Sequence, residues 1–250
     1  MNNMQNSWDE IFNEYPFWYS NITILLKTFI RYECCQKIIN TWNLYYPNIN
    51  IILVDDTPIK HKNSNLSLTE NIKYIYLDKI VGLSYGRNIA ILEANTEYIF
   101  LADDDNMPPN PNILKQMYNI LCRSDYDIIG PNPPYEISIS NGILSCYQSN
   151  YTYGDIFGCD AVLNHFLAKK NKIPKWDNNI KIGHEHVDFF LSCKQENVSI
   201  ASYKKLMIES IKKDYKESSI YNRYRYDLVL PEKYLLNKWD LLGYKKWGIK

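Results

Sequence analysis

In the stretch Tyr98-Ile99-Phe100-Leu101-Ala102-Asp103-Asp104-Asp105, five apolar, strand-like residues run directly into three carboxylates. Ligands of an open α/β sheet bind beyond the carboxyl ends of its strands, where acidic side chains can hold a divalent cation and, through it, a diphosphate. Two unit charges about 5 Å apart repel by roughly 3 kcal/mol at an effective dielectric near 20. A bound cation relieves that repulsion, so the stretch predicts a cation site at a sheet edge. The alternative is a solvated acidic turn.

Strands and helices alternate through the first half of the chain, which predicts an α/β fold with a parallel sheet. A second predicted strand ends at Asp55-Asp56, so we expect both acidic clusters at one edge of that sheet. Strands are predicted at residues 22–26, 49–54, 73–77, 98–102, 126–130, 142–148, 155–163 and 198–203. Helices are predicted at residues 31–45, 84–94, 112–122, 185–196 and 232–242.

Composition narrows the class of protein. A chain of 250 residues with 46% hydrophobic residues suits one large domain with a substantial core. Lys plus Arg and Asp plus Glu number 28 each, so the zero net charge gives no reason to expect a nucleic-acid partner. We also expect no transmembrane segment and a cytoplasmic location, because the first 20 residues do not resemble a signal peptide and no apolar run approaches about 20 residues.

An ordered series of motifs resembles the inverting, family 2-like glycosyltransferases of GT-A fold. Within them, the chain is most similar to the β-1,4-N-acetylgalactosaminyltransferase group that includes the ganglioside GM2/GD2 synthases. The resemblance covers roughly residues 22–203. The motifs are Lys27-Thr28-Phe29-Ile30-Arg31-Tyr32, Val54-Asp55-Asp56, Gly82-Leu83-Ser84-Tyr85-Gly86-Arg87-Asn88, Leu101-Ala102-Asp103-Asp104-Asp105, Asp160-Ala161-Val162-Leu163-Asn164-His165-Phe166-Leu167-Ala168 and Gly183-His184-Glu185-His186-Val187-Asp188-Phe189-Phe190-Leu191.

This resemblance implies a fold and an activity. The fold is GT-A: a Rossmann-like, mostly parallel central sheet flanked by helices, with a smaller acceptor-side half. We expect one domain over residues 1–250, with a nucleotide-sugar half at about 20–125, an acceptor half at about 126–210 and a helical tail at 211–250. The implied activity is transfer of GalNAc or GlcNAc from a UDP-sugar to a glycan or glycoconjugate hydroxyl, with inversion and with Mn²⁺ or Mg²⁺. A catalytically silent GT-A-like binder of nucleotide sugar or glycan is the alternative.

The same resemblance assigns the donor and metal residues. Asp103 and Asp105 match a DxD pattern and are the expected metal ligands. Relatives carry an Asp-His pair where this chain has Met207-Ile208-Glu209-Ser210, so either Glu209 takes the role of that His as a candidate ligand, or water fills the position, or the affinity for the metal is reduced. The residues expected to bind the nucleotide sugar are Thr28, Arg31, Asp55, Asp56, Arg87, Asn88, Asp103 and Asp104.

Inversion needs a base opposite the departing UDP. Asp188 matches the family motif better and Glu185 is the second candidate; their three-residue spacing predicts that they share a helix face. His184 and His186 are alternative bases or donor contacts. Each assignment has a structural alternative: Asp188 can be a helix N-terminal charge, Arg87 an ion pair, Gly82 and Gly86 turn residues, and His165 a core residue.

Overall fold

The computed structural model describes residues 18–62, 66–149, 154–211, 220–224 and 232–249. Eleven strands and five helices are bounded within these ranges. The strands are β1 (Ile22–Thr28), β2 (Asn50–Asp55), β3 (Ile72–Tyr76), β4 (Tyr98–Asp103), β5 (Ile128–Pro131), β6 (Tyr135–Ser140), β7 (Ile143–Gln148), β8 (Ile156–Cys159), β9 (Phe166–Lys169), β10 (Ile200–Tyr203) and β11 (Gly243–Ile249). The helices are α1 (Tyr32–Tyr45), α2 (Leu83–Glu93), α3 (Pro111–Arg123), α4 (Glu185–Gln195) and α5 (Glu232–Lys238).

The main sheet has eight strands in the order β3-β2-β1-β4-β9-β5-β10-β8. Strands β3, β2, β1 and β4 are parallel, and β9 runs antiparallel between β4 and β5. Thr28 on β1 is in register with Asp55 on β2, and Lys27 with Asp103 on β4. The two acidic clusters therefore follow strands on either side of β1, at one edge of the sheet, as predicted.

The helices cover both faces of this sheet, and each face has its own hydrophobic cluster. On one side, Trp42 of α1 and Leu114 of α3 belong to the cluster that contains Ile24 of β1. On the other side, Ala90 of α2 and Phe189 of α4 belong to the cluster that contains Leu25. Because successive side chains of a strand point to opposite faces, β1 contributes to both clusters and is buried along its whole length.

Three strands were not predicted: β6, β9 and β11. Strand β9 is only four residues long and its first three residues are buried, so it lacks the alternation that marks a half-buried strand. Strand β11 pairs with β7 in a second, three-stranded sheet, an arrangement that depends on long-range contact. The expected helical tail at 211–250 thus contains a strand as well as α5.

No helix within the described residues has the length and apolar character needed to cross a bilayer. All six cysteines are free thiols.

His165 lies in the core beneath β4, where its ring meets the edge of the Phe100 ring at a centroid distance of 4.8 Å. The residue is fully buried, and neither ring nitrogen has a hydrogen-bond partner. Burial lowers the pKa of His165 from about 6.5 to about 3. This side chain therefore stays neutral in the folded chain at pH values at which the unfolded chain takes up a proton.

We predict that His165 makes the fold acid-sensitive. As the pH falls below about 6.5 only the unfolded chain gains this proton, which costs the fold about 2 kcal/mol between pH 7 and pH 5. Between pH 7 and pH 5, the free energy of unfolding of a His165→Phe variant should therefore fall by about 2 kcal/mol less than that of wild type. Urea unfolding at both pH values measures this difference. Leu114→Ala, a fully buried substitution in the same hydrophobic cluster as Phe100, should lower stability equally at both pH values. An unchanged pH difference in His165→Phe would contradict the prediction.

Candidate active site

A cleft of about 570 Å³ opens at the carboxyl edge of β1 and β4. We call it the main cleft. Its walls come from β1, α2, the loop after β4 and the first turn of α4, and a smaller side pocket adjoins it, sharing Lys27, Arg31, Leu83 and Tyr221. The charged side chains that line the main cleft are Lys27, Arg31, Arg87, Asp103, Asp105 and Glu185.

Of the three consecutive aspartates at the end of β4, two face the main cleft and one faces inward. Asp103 and Asp105 line the cleft, with side chains 33% and 13% exposed. Asp104 is fully buried, accepts a hydrogen bond of 2.7 Å from Thr28 Oγ1 and pairs with Arg31. Burial raises the pKa of Asp104 to about 6. The predicted donor contacts Thr28 and Asp104 therefore bind each other behind the cleft.

Two arginines balance the charge of this cluster. Arg31 pairs with Asp104 and, at 2.6 Å, with Asp105, and its guanidinium stacks 4.6 Å from the Tyr221 ring centroid. The Arg87 side chain is only 2% exposed and donates to Asp103 Oδ1 at 3.0 Å. Both arginines thus lie at the cleft, as expected, and relieve the repulsion anticipated from the sequence.

Asp55 does not reach the cleft. It is fully buried, and its Oδ2 accepts hydrogen bonds from the hydroxyls of Tyr32 at 2.8 Å and Tyr74 at 2.7 Å. Its Oδ1 accepts from the backbone N–H of Thr57. Asp55 therefore ties β2 to α1 and β3 and lines neither the main cleft nor the side pocket, so the structure gives its predicted contact with the nucleotide no support.

Asp56 lines the side pocket but is occupied by internal contacts. Its Oδ1 pairs with Lys27, and its Oδ2 accepts the backbone N–H groups of Val81 and Gly82 at 2.9 and 2.8 Å. The Lys27 stem packs against α2, where a Cβ on Gly86 would lie 2.7 Å from Lys27 Cδ. Gly82 has φ +86°, a conformation that favours glycine. Both glycines are required by packing and turn geometry.

Asn88 lies outside the main cleft and holds a loop in place. Its Nδ2 donates to Trp176 O at 2.8 Å, and its Oδ1 accepts from Trp176 N–H at 3.0 Å. The same Nδ2 donates to Asn178 Oδ1 at 2.7 Å. Asn88 thus joins α2 to the loop that precedes α4, and its contact with the donor stays a prediction.

The two candidate bases on α4 point to different places. Glu185 lines the main cleft, with Oε1 4.0 Å from Arg87 Nη1. Asp188 is 2% exposed and accepts hydrogen bonds from Trp239 Nε1 at 2.8 Å and Lys238 Nζ at 2.9 Å, away from the cleft. The predicted preference for Asp188 therefore does not agree with the position of its carboxylate.

His186 also lines the cleft. Its Nδ1 lies 2.8 Å from the side-chain amide of Asn164. Burial, with a smaller effect of nearby Arg87, lowers the pKa of His186 to about 3. The ring is consequently neutral near pH 7 and suited to hydrogen bonding.

Glu209 is separated from the aspartates that it was expected to join. The extended segment around it is held to the loop after β4 by backbone hydrogen bonds, from Ile211 N–H to Asp105 O and from Met107 N–H to Glu209 O, both 2.8 Å. Ser210 lines the main cleft, whereas Glu209 is exposed and lines a neighbouring cavity. Within the described part of the chain, no group of three or more His, Cys, Asp or Glu residues is arranged to hold a metal ion.

Sequence reasoning missed two residues that line both the main cleft and the side pocket. Lys27 lies within an apolar strand and was quoted only as part of a motif, although a lysine in a buried strand is itself a signal, since a buried charge needs a partner. Tyr221 comes from the helical residues 220–224 and reaches the cleft only through tertiary folding. No local pattern identifies it.

The family model named Glycosyl transferase family 2 matches residues 23–186. The β-1,4 N-acetylgalactosaminyltransferase 1 of Mus musculus is 25% identical over 236 residues, and that of Homo sapiens 26% identical over 242 residues. These alignments cover 82% and 84% of this chain but only 43% and 44% of the relatives, so the chain spans less than half their length.

The fold is shared with S. aureus TarS. The structure of TarS 1-349 in complex with UDP-GlcNAc aligns with a TM-score of 0.53 at 15% identity, covering 79% of this chain and 60% of TarS 1-349. The TarS complex with UDP gives a TM-score of 0.54 at 14% identity, covering 79% and 62%. The mostly parallel sheet and its flanking helices are therefore of the GT-A type, and the chain belongs to glycosyltransferase family 2.

Proposed function

We propose that this glycosyltransferase is metal-dependent and inverting, and that it transfers GalNAc or GlcNAc from a UDP-sugar to a glycan hydroxyl. One observation carries the proposal: Asp103, Asp105 and Glu185 line a single cleft that also contains Arg31 and Arg87. Such a cleft offers ligands for a cation, positive charge for a diphosphate and a carboxylate for a proton. The names of the β-1,4 N-acetylgalactosaminyltransferase relatives and the UDP-GlcNAc complex of TarS support the choice of donor.

The donor would lie across the two compartments. A UDP-sugar has a flat base at one end, a sugar at the other and two negative phosphates between them. Lys27 and Arg31 line both the side pocket and the main cleft, so positive charge is concentrated at their junction. The other walls of the side pocket include the apolar and aromatic side chains Phe29, Leu83 and Tyr221, which suit the flat nucleobase of the donor. We therefore place the diphosphate near Lys27 and Arg31.

Asp103 and Asp105 are suited to hold Mn²⁺ or Mg²⁺. Both are carboxylates that line the cleft, and Mg²⁺ is commonly bound by one or two carboxylates together with substrate phosphates and water. This mode of binding does not require a third protein ligand. When bound, the cation would offset negative charge on the departing UDP.

Glu185 is the proposed base. In our mechanism it accepts the proton of the acceptor hydroxyl while that oxygen attacks the anomeric carbon from the side opposite UDP. The bond from the anomeric carbon to the phosphate oxygen breaks, and UDP leaves with the electron pair. Arg87 lies between Asp103 and Glu185 and offsets the negative charge of both carboxylates before the reaction.

We predict that Glu185→Gln lowers kcat for UDP release by about 10²–10⁴-fold, the usual contribution of a general base. Its affinity for UDP should stay within about three-fold of wild type, because this carboxylate faces the acceptor. A panel of UDP-sugars, each assayed with Mn²⁺ and with glycan acceptors, provides the rates, and calorimetry provides the affinity.

Glu93→Gln is the matched control, since Glu93 pairs with Lys73 on the exposed surface. Full activity of Glu185→Gln would show that another group takes the proton.

We further predict that Asp105→Asn reduces Mn²⁺-dependent UDP binding at least about ten-fold, because a carboxylate ligand becomes a neutral amide. Calorimetric titration of UDP with and without Mn²⁺ measures the effect. Glu209→Gln should behave as wild type, because Glu209 lines the neighbouring cavity. Equal losses in both variants would instead make Glu209 a ligand.

A catalytically silent binder is the second candidate. It is favoured by the ion pairs from Arg87 to Asp103 and from Arg31 to Asp105, which already neutralise the two carboxylates. The same titrations, together with the UDP-sugar rate assays, separate the two candidates. A chain that binds UDP but turns over no UDP-sugar, with or without acceptors, would be a catalytically silent binder.

A further inference from the structure

The carboxylate of Asp188 is held by residues that lie about fifty positions further along the chain. Lys238 Nζ lies 2.7 Å from Asp188 Oδ1 and 2.9 Å from Oδ2, and Trp239 Nε1 donates to Oδ1 at 2.8 Å. The Asp188 side chain is 2% exposed and the Lys238 side chain 29% exposed, so a buried carboxylate meets a lysine that is partly open to solvent. A buried carboxylate depends strongly on such partners, because it has no water to replace them.

Lys238 also bridges to the loop before α4. Its Nζ lies 2.8 Å from Asp177 Oδ2, and the Tyr234 hydroxyl donates to the same oxygen at 2.9 Å. Burial by itself lowers the pKa of Lys238, but hydrogen bonds to Asp177 and Asp188 outweigh burial, and the pKa is raised. Lys238 is therefore a lasting cation between two carboxylates, and it ties α5 to both the loop and α4.

The attached part of α4 begins in an unusual backbone conformation. His184, the residue before the first turn, has φ +26°, in the region that L-residues rarely adopt. Glu185 follows directly and lines the main cleft. A turn that starts in this way needs contacts elsewhere to hold it, since uncommon backbone conformations persist only when the surroundings determine them. Asp188 lies one turn later, and its backbone N–H donates to His184 O at 2.9 Å.

A stacked aromatic pair also connects the N-terminal part of α4 to the loop before it. The Trp176 and Phe189 rings lie parallel, with centroids 3.9 Å apart. Trp176 precedes Asp177, and Phe189 follows Asp188. The aromatic stack and the Lys238 ion pairs therefore connect the same two segments, the loop at residues 176–177 and α4 at residues 188–189. The cation of these ion pairs comes from α5.

We infer that Asp188, Lys238 and Trp239 are positioning residues of the active site, through which α5 sets the place of Glu185 in the main cleft. This inference rests on the proposed function, in which Glu185 is the base. It assigns Asp188 a role different from proton transfer, since its oxygens are bonded to α5 and its side chain is not part of the cleft wall. It also makes the C-terminal helix part of the catalytic unit.

The test compares Lys238→Met, Lys238→Arg and Trp239→Phe with wild type. We expect Lys238→Met to lower kcat for UDP release at least about ten-fold, while its affinity for UDP with Mn²⁺ changes less than about two-fold. Lys238→Arg keeps the charge and should recover kcat to within about three-fold of wild type. Trp239→Phe keeps an aromatic ring but loses one N–H donor, so its kcat should lie between those of Lys238→Met and Lys238→Arg.

Lys194→Met is the matched control. Lys194 lies near the other end of α4, the helix that carries Asp188, and its half-exposed side chain pairs with Asp160 at 2.7 Å and donates to Ile137 O at 2.8 Å. Its loss should leave kcat unchanged. Thermal unfolding of each variant checks that the protein assayed is folded. If Lys238→Met does not fold, Trp239→Phe provides the test, again through a lower kcat with little change in UDP affinity.

The outcomes separate this inference from the proposed function. Folded Lys238→Met and Trp239→Phe variants with wild-type kcat would overturn the inference alone, as would a fall in UDP affinity in proportion to kcat. Asp188→Asn should retain measurable turnover, whereas Glu185→Gln should lose it; the reverse result would make Asp188 the base. A wild-type chain that binds UDP but turns over no UDP-sugar overturns both.

Discussion

The proposed active site depends on how four carboxylates are kept at one edge of the sheet. Asp103, Asp104 and Asp105 follow one another, and Glu185 approaches from α4. Each close pair costs roughly 3 kcal/mol at an effective dielectric near 20, which a folded chain of ordinary stability does not tolerate several times over. Two guanidinium groups offset this cost: Arg31, 12% exposed, binds the second and third aspartates, and the buried Arg87 lies between the first aspartate and Glu185.

This arrangement follows from the order of elements along the chain. Arg31 immediately precedes α1 and Arg87 lies in the second turn of α2, so both come from helices that follow parallel strands. Connections of this kind return the chain to the same sheet edge each time. Glu185 comes from the second half of the chain and needs long-range contacts to reach that edge. The donor side is thus built locally, and the acceptor side through tertiary structure.

The sequence predicted which strand ends bring acidic side chains to one edge of the sheet, but not which way each side chain points. Acidic residues after a strand give the same signal whether they face the cleft or the core. In the structure Asp103 and Asp105 face the cleft, while Asp55 and Asp104 face inward to hydroxyl partners. Asp188 was preferred over Glu185 for a similar reason: motif and spacing rank the two carboxylates, and only α5, distant in sequence, shows that Asp188 is already bonded.

Arg87 links the two halves of the proposed reaction. Before transfer it is shared by Asp103, on the donor side, and Glu185, on the acceptor side. When Glu185 accepts a proton its charge disappears, and an equal negative charge develops on the departing diphosphate. Arg87 then loses the attraction of Glu185 and gains that of the diphosphate, so the charge that it stabilises moves toward the donor side. Its contact with Glu185 before the reaction depends on Glu185 lying within a few ångströms of Arg87. A helix turn held from outside the cleft is a direct way to maintain that distance.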